Sequence, residues 1–183
     1  NKKTGKKIKG ASYYKKHDGE GFEKAHCKVI TGLINSKGEY LPLFTTIYFK
    51  KKDAEKEGIT FKTKHEIARE HNQKARELGI VFFAHIYDSW YFNNDMMEFS
   101  EDKEWIVSQL SGKFKFSYNE KEMKASAFKK TIDKRKMKVL HTNGKRIRYL
   151  ELIVNLANAK TVKIIPFIDE GTSIKILVST NLN

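Results

Sequence analysis

Asp88 is the residue best placed to do chemistry in this chain. It closes a continuous apolar run, Ile80-Val81-Phe82-Phe83-Ala84-His85-Ile86-Tyr87. A run that does not alternate reads as a strand buried on both faces. In open α/β sheets, ligands and metals gather outside the carboxyl ends of strands. A carboxylate there can take a hard cation, Mg2+ or Mn2+, which prefers oxygen ligands. Two such ions about 4 Å apart, held by several carboxylates, activate a water and stabilise the leaving oxygen in phosphodiester chemistry. An Asp after a strand has a second, ordinary use as the N-cap of the next helix, here one beginning near Trp90. One carboxylate does not make a metal site. Asp169 and Glu170 follow an apolar strand and are the best internal candidates for another acid, but Asp169-Glu170-Gly171 is an ordinary turn composition and is read as one. Glu151 sits in a strand pattern, on its exposed face.

Other chemistries find little support. His85, inside the apolar run, reads as a hydrogen-bonded core histidine before a ligand. The pairs His17 with His26 and His65 with His71 lack the i, i+4 spacing of a helical metal site. Cys27 stands alone, which excludes an internal disulfide and a cysteine zinc cluster and fits a reducing cytoplasm. Gly5-Lys6-Lys7 lacks the spacing of a phosphate-cradling loop, and nothing suggests a Ser-His-Asp arrangement.

Lys and Arg number 36 against 22 Asp and Glu in 183 residues, a net charge of +14. That surplus makes an acidic partner the first expectation, and no apolar run approaches the roughly 18 to 20 residues of a membrane span. A hydrophobic share of 39% with 12% aromatics supports a real core, not a disordered tail. The cations group in three places: Lys2, Lys3, Lys6, Lys7 and Lys9; Lys113 and Lys115 among Phe114, Phe116 and Tyr118; and Lys129, Lys130, Lys134, Arg135, Lys136 and Lys138. Such patches bind phosphates in a salt-sensitive way, and the aromatics could stack on exposed bases. Singly, each Lys reads as solvated surface and each aromatic as core; together, the charge favours DNA.

Several elements must position these residues. Residues 1–24 read as loop, with at most an extended stretch at 11–14. Residues 25–34 and 40–49 flank Asn35-Ser36-Lys37-Gly38, a hairpin signal. Residues 50–62 read as a charged connection. Thr63 and Glu66 form a capping-box pattern for a helix over 64–78, with Ile67, Ala68, His71, Ala75 and Leu78 on one stripe and Gly79 ending it. After the apolar strand come a short helix at 92–98, a strand at 105–110, a charged helix at 120–132, and strands at 137–141, 146–156, 162–168 and 173–180. Turns fall at Asn143-Gly144, near Asn158 and at Asp169-Glu170-Gly171. Pro42 and Pro166 mark edge positions or bulges. The fold class is α/β: a mixed sheet of ribonuclease-H-like type (hairpin, crossover helix, buried central strand) with a β-rich insertion in the C-terminal half. The division is 1–118 as core and 119–183 as helix and insertion.

The string His85-Ile86-Tyr87-Asp88-Ser89-Trp90-Tyr91 resembles the second catalytic Asp of insertion-sequence transposases of the DDE type, the IS-four-like group, where a strand ends in Asp-Ser-x-Tyr or Asp-Ser-Trp-Tyr. Residues 1–10 resemble the Lys- and Gly-rich stretch after that family's first Asp. The hairpin with Leu41-Pro42-Leu43 resembles its second and third strands. Trp105-Ile106-Val107-Ser108-Gln109-Leu110, followed by Lys113 and Lys115, resembles the strand after the second Asp. The resemblance covers nearly the whole chain. It implies a ribonuclease-H-like catalytic domain that cleaves transposon-end DNA and joins it to target DNA with two Mg2+ or Mn2+ ions, Asp88 being both catalytic residue and metal ligand. It further implies DNA as partner, a possible homo-oligomer on DNA, no membrane, and a cytoplasmic, nucleoid-associated setting in a prokaryote. The expected DNA-binding residues are Lys6, Lys7, Lys113, Lys115, Arg135 and Lys136. The family's first Asp is expected before Asn1, and its final Glu, in a Tyr-x-x-Arg-x-x-x-Glu setting absent from these residues, after Asn183, so the chain reads as a fragment of a longer protein that is inactive alone. The alternatives are a non-catalytic basic nucleic-acid-binding module and a decayed transposase remnant.

Overall fold

The structure, a computed structural model, describes residues 9–16, 19–99, 104–157, 160–169, 171 and 173–182. It is a mixed α/β protein with mostly antiparallel pairing and few helices, divided into two compact units, Asn1–Val81 and Phe82–Asn183.

In the first unit, β1 (Ser12–Lys15) takes the extended stretch expected at 11–14 and pairs as an antiparallel ribbon with β2 (Phe22–Ala25), where the sequence predicts loop. Gly19 and Gly21, at φ +92 and +76, make the reversal that obscures any periodicity. The predicted hairpin forms as β3 (Cys27–Ile34) and β4 (Tyr40–Tyr48). Its turn is held by Asn35 Oδ1, which accepts from the amides of Lys37 and Glu39, both at 3.0 Å. Pro42 lies opposite Gly32, beside a register shift between Thr31 and Gly32, so the proline does mark a bulge. A short helix, α1 (Lys51–Lys56), stands within the expected connection, and Ser12 donates to its Asp53 at 2.6 Å. Helix α2 (Lys64–Glu77) starts at Thr63 with both arms of the capping box in place. Its buried stripe is Ile67, Ala68, His71, Asn72 and Ala75, while Leu78 lies exposed beyond the helix end.

The second unit is a nine-stranded sheet. Its strands are β5 (Ala84–Tyr87), β6 (Trp105–Gln109), β7 (Lys115–Tyr118), β8 (Lys121–Lys124), β9 (Lys138–Thr142), β10 (Lys145–Tyr149), β11 (Leu152–Leu156), β12 (Thr161–Ile168) and β13 (Lys175–Ser179). The order is β5-β6-β13-β12-β11-β7-β8, with β10 also on β12 and β9 on β10. Among the described residues, only β5 and β6 pair in parallel. The core gathers Ile106, Phe116, Val162, Ile164, Ile176 and Val178 from the sheet under Phe128 of α4 (Ala125–Thr131) and Met97 of α3 (Asn94–Phe99). Strand β12 buries Val162, Ile164, Pro166 and Ile168 on alternate positions, the period-2 signature of a one-sided core face. Pro166 lies where the partner of β12 changes from β11 (through Ile164) to β10 (from Phe167), so its missing N–H interrupts no ladder.

Four expectations are corrected here. Strand β5 is not a buried central strand: it ends the sheet order, and Phe83 and Ile86 are 71% and 68% exposed. The hairpin β3–β4 forms a two-stranded sheet of its own, so α2 is not a crossover between two strands of one sheet. The helix expected over 120–132 is instead a turn, strand β8 and the shorter α4, because Asn119 and Glu120 take positive φ (48 and 62) and fold β8 back onto β7. The expected strand 146–156 is broken into β10 and β11 at Leu150 and Glu151. Residues 118 and 119, between which the sequence reading divides core from insertion, lie at the β7–β8 turn.

Candidate functional site

Asp88 follows β5 directly and is exposed. Its carbonyl accepts from Tyr91 N at 2.8 Å, making Asp88-Ser89-Trp90-Tyr91 one tight turn, and Ser89 Oγ donates to Asp88 Oδ1 at 3.1 Å. No described cation forms an ion pair with it. The use as helix cap is excluded. The next helix is α3, and Asn93 caps it: Asn93 Oδ1 accepts from Met96 N at 2.8 Å and Asn93 O from Met97 N at 3.1 Å.

Parallel pairing sets which end of the sheet this is. Tyr87 lies opposite Ser108, whose Oγ donates to Tyr87 O at 2.9 Å, so β5 and β6 present their carboxyl ends to one edge. Strand β13 runs against β6 and β12 against β13, so β12 ends at that same edge. Asp169 therefore shares an edge with Asp88, but three strand positions away, about 14 Å at ~4.8 Å each. That is too far to share an ion. Asp169 is also engaged by Lys175 Nζ at 2.7 Å; that contact, with help from the Gly171 amide, holds its carboxyl below the ordinary range. Asp169 and Gly171 thus make the turn that their composition predicts; Glu170 lies outside the described residues. Glu151 stands between Lys138 (3.2 Å) and Lys163 (3.9 Å).

His85 is a core histidine, as expected. Its Nε2 meets Glu104 Oε2 at 2.9 Å with both side chains buried, and its ring stacks on Tyr87 at 5.7 Å. Among the described residues no three His, Cys, Asp or Glu side chains group closely enough to hold a metal ion. Asp88 with the Ser89 hydroxyl supplies one anionic ligand, and a two-ion centre needs several. The donor set of the described residues does not fit that centre.

The basic residues lie apart. Lys113 sits in the turn before β7, and Lys115, on β7, pairs with Glu122 of β8 at 2.8 Å. The aromatics between them do not face solvent as base-stacking platforms: Phe116 is 1% exposed, Phe114 packs on Phe92, and Tyr118 on Phe128. The alternation of charge and aromatic there is that of a strand with one face in the core. Arg135 and Lys136 belong to a single 3-10 turn, Lys134–Lys136, where Asp133 accepts from Arg135 at 3.1 Å and 3.2 Å; this bond holds the Asp133 carboxyl below its usual range. Lys6 and Lys7 lie outside the described residues, as does Asn158. The Lys134–Lys136 turn leads straight into β9 and β10, whose Lys145, Arg146 and Arg148 sequence reasoning passed over. The overlooked signal is local: residues 134–150 hold seven Lys and Arg and no acid.

Comparison with family models, with curated proteins and with solved structures finds no match to this chain. Among the described residues no helix is long and apolar enough to cross a membrane.

Proposed function

We propose that this chain is part of the catalytic region of a DDE-type transposase, of ribonuclease-H-like fold, acting on DNA at phosphodiester bonds. The observation that carries the reading is the state of Asp88. It is exposed, has no cation partner among the described residues, is relieved of capping by Asn93, and stands at the carboxyl end of the parallel pair. Carboxylates at such strand ends are the usual ligands of the divalent ions that drive phosphodiester chemistry. The Asp-Ser-Trp-Tyr string that carries the resemblance is one closed turn, with Ser89 orienting the carboxylate. Asp88 by itself does not complete such a centre, which needs several carboxylates. Were a divalent ion such as Mg2+ or Mn2+ held there, Asp88 would supply one of its ligands and the ion would activate the attacking oxygen.

The test is Asp88→Asn in the intact protein, assayed for duplex binding and for cleavage in Mg2+. Cleavage is abolished and binding retained if Asp88 is a ligand. Equal cleavage by wild type and variant refutes the role. Salt-dependent DNA binding with no Mg2+-dependent cleavage by the intact protein makes it a nucleic-acid-binding module instead.

A further inference from the structure

Strands β9 and β10 form a ribbon that leaves the sheet. Strand β9 pairs only with β10, and β10 is fastened to β12 only through Arg148 opposite Ile168 and Tyr149 opposite Phe167. Every residue of β9 is exposed, and so are Lys145 and Arg146. Asn143 and Gly144, at φ +47 and +73, close the ribbon in the tight turn whose twist matches its strands. Its direction follows from the pairings: β10 runs against β12, so the closed end lies beyond the carboxyl end of β12, at the sheet edge that carries Asp88. Register puts Tyr87, Ser108, Val178 and Ile164 at one level. The ribbon tip therefore projects roughly 20 Å past Asp88, at ~3.3 Å per residue.

Charge is concentrated on this ribbon and the turn feeding it. Residues 134–150 carry +7, half of the +14 of the whole chain. Arginine is scarce here, five residues against 31 lysines, yet Arg135, Arg146 and Arg148 fall within these 17 residues. A chain merely rich in lysine would not gather its arginines so. Arg146 lies opposite His141 and Arg148 opposite Val139, so by the alternation of the pleat both guanidinium groups share one face. Neither forms an ion pair or side-chain hydrogen bond with a described residue.

We propose that the β9–β10 ribbon inserts into the major groove of duplex DNA, with Arg146 and Arg148 on base edges and Lys136 and Lys145 on flanking phosphates. A two-stranded ribbon fits the major groove of B-form DNA, roughly 12 Å wide, and arginine pairs bidentately with guanine O6 and N7. The major groove of A-form RNA is too deep and narrow for it. The inference rests on the DNA-acting function proposed above and names how that substrate is gripped: the ribbon enters a groove on the side of the sheet where Asp88 meets the backbone.

The experiment is binding of the full chain to a GC-containing duplex, with dimethyl sulfate protection of guanine N7 as the groove readout. Wild type binds and protects N7. Arg146→Ala with Arg148→Ala weakens binding at least about thirty-fold, as loss of two bidentate contacts implies, and abolishes protection. Arg146→Lys with Arg148→Lys keeps the salt dependence but loses protection, since an ammonium lacks the planar fork; it also answers should the alanine pair misfold. Lys28→Ala with Lys37→Ala, an equal loss of charge in the first unit, leaves N7 protection in place. Persistence of protection in both arginine variants, equal weakening by the two alanine pairs, or equally tight binding of duplex RNA overturns the ribbon's role while DNA remains a ligand. Failure of wild type to bind any duplex DNA overturns the function along with it.

Discussion

His71 gives the sharpest test of how this chain holds its first unit. The ring is 3% exposed and bridges the hairpin: Nδ1 meets Thr31 Oγ1 at 2.9 Å and Nε2 meets Thr46 Oγ1 at 2.8 Å. A neutral imidazole satisfies both, donating from one nitrogen and accepting at the other; the charged ring can only donate. Burial, then the nearby Lys74 ammonium, lowers its pKa, against the raising effect of Glu70. The sign follows. With a folded value below the unfolded 6.5, the unfolded chain binds more protons between the two values, so stability falls as pH drops through that window. The lowered carboxylates Glu66, Asp133 and Asp169 act in the same direction, but only below their ordinary values near 4, a separate range. Thr31→Val leaves one buried ring nitrogen unpaired at about 1–3 kcal/mol. That is a fall in Tm of roughly 2–4 °C per kcal/mol for a chain this size. Thr46, exposed on β4, lets water replace its hydroxyl, so Thr46→Val falls at the low end. The assay is thermal unfolding at several pH values between 7.5 and 5, with NMR titration of the His71 ring protons. A midpoint for His71 at or above 6.5, or a Tm that rises on acidification and is unaffected by His71→Gln, refutes the account.

Asn93→Ala removes the α3 cap and costs about 1 kcal/mol, whereas Asp88→Ala changes stability by less than about 0.5 kcal/mol; denaturant unfolding of the two variants separates cap from unengaged acid. Thr63→Ala removes the side-chain arm of the capping box and costs about 1 kcal/mol, while the Glu66 carboxyl stays below its ordinary range, since the backbone amide of residue 63 is the larger cause of its lowering. Phe116→Ala opens a cavity in the sheet core and costs about 3–5 kcal/mol. If Phe116 were a base-stacking platform, single-strand affinity would fall instead with stability kept.

Local signals in the sequence carry the elements whose chemistry is local. The Thr63 to Glu66 capping box, the Asn35 turn and Asn143-Gly144 each state their geometry in a few residues, and each forms as predicted. The errors share another cause, the context that no short window contains. Residues 80–87 are apolar on every position, which predicts cover on both faces; yet β5 ends its sheet with Ile86 in solvent. Lys121 to Lys124 has the composition of an exposed helix, and the two positive-φ residues before it decide for a hairpin. Lys113-Phe114-Lys115-Phe116 suits a nucleic-acid platform and a one-sided strand equally well as a pattern. Only the packing of Phe116 under Phe128 separates the two.

At the sheet edge, sequence and structure meet on a point neither gives alone. Acids on short turns are common, and most find a use: Asp169 on Lys175, Asp133 on Arg135, Glu151 between two lysines. In a chain with so large a cationic surplus, a surface carboxylate without a cation has escaped a strong statistical pull toward pairing. Asp88 escapes it because its surroundings are apolar and aromatic: Tyr87 and Tyr91 flank it, Trp90 stands exposed beside it, and His85 behind it is already bound to Glu104. On that edge the Lys175 ammonium is held by Asp169. Replacing Asp169 with Asn frees the Lys175 ammonium, and the local field at the edge turns more positive. A DNA-binding edge then grips phosphate more tightly, with the salt dependence of binding steepened by up to about one counterion. A purely structural edge shows no such change.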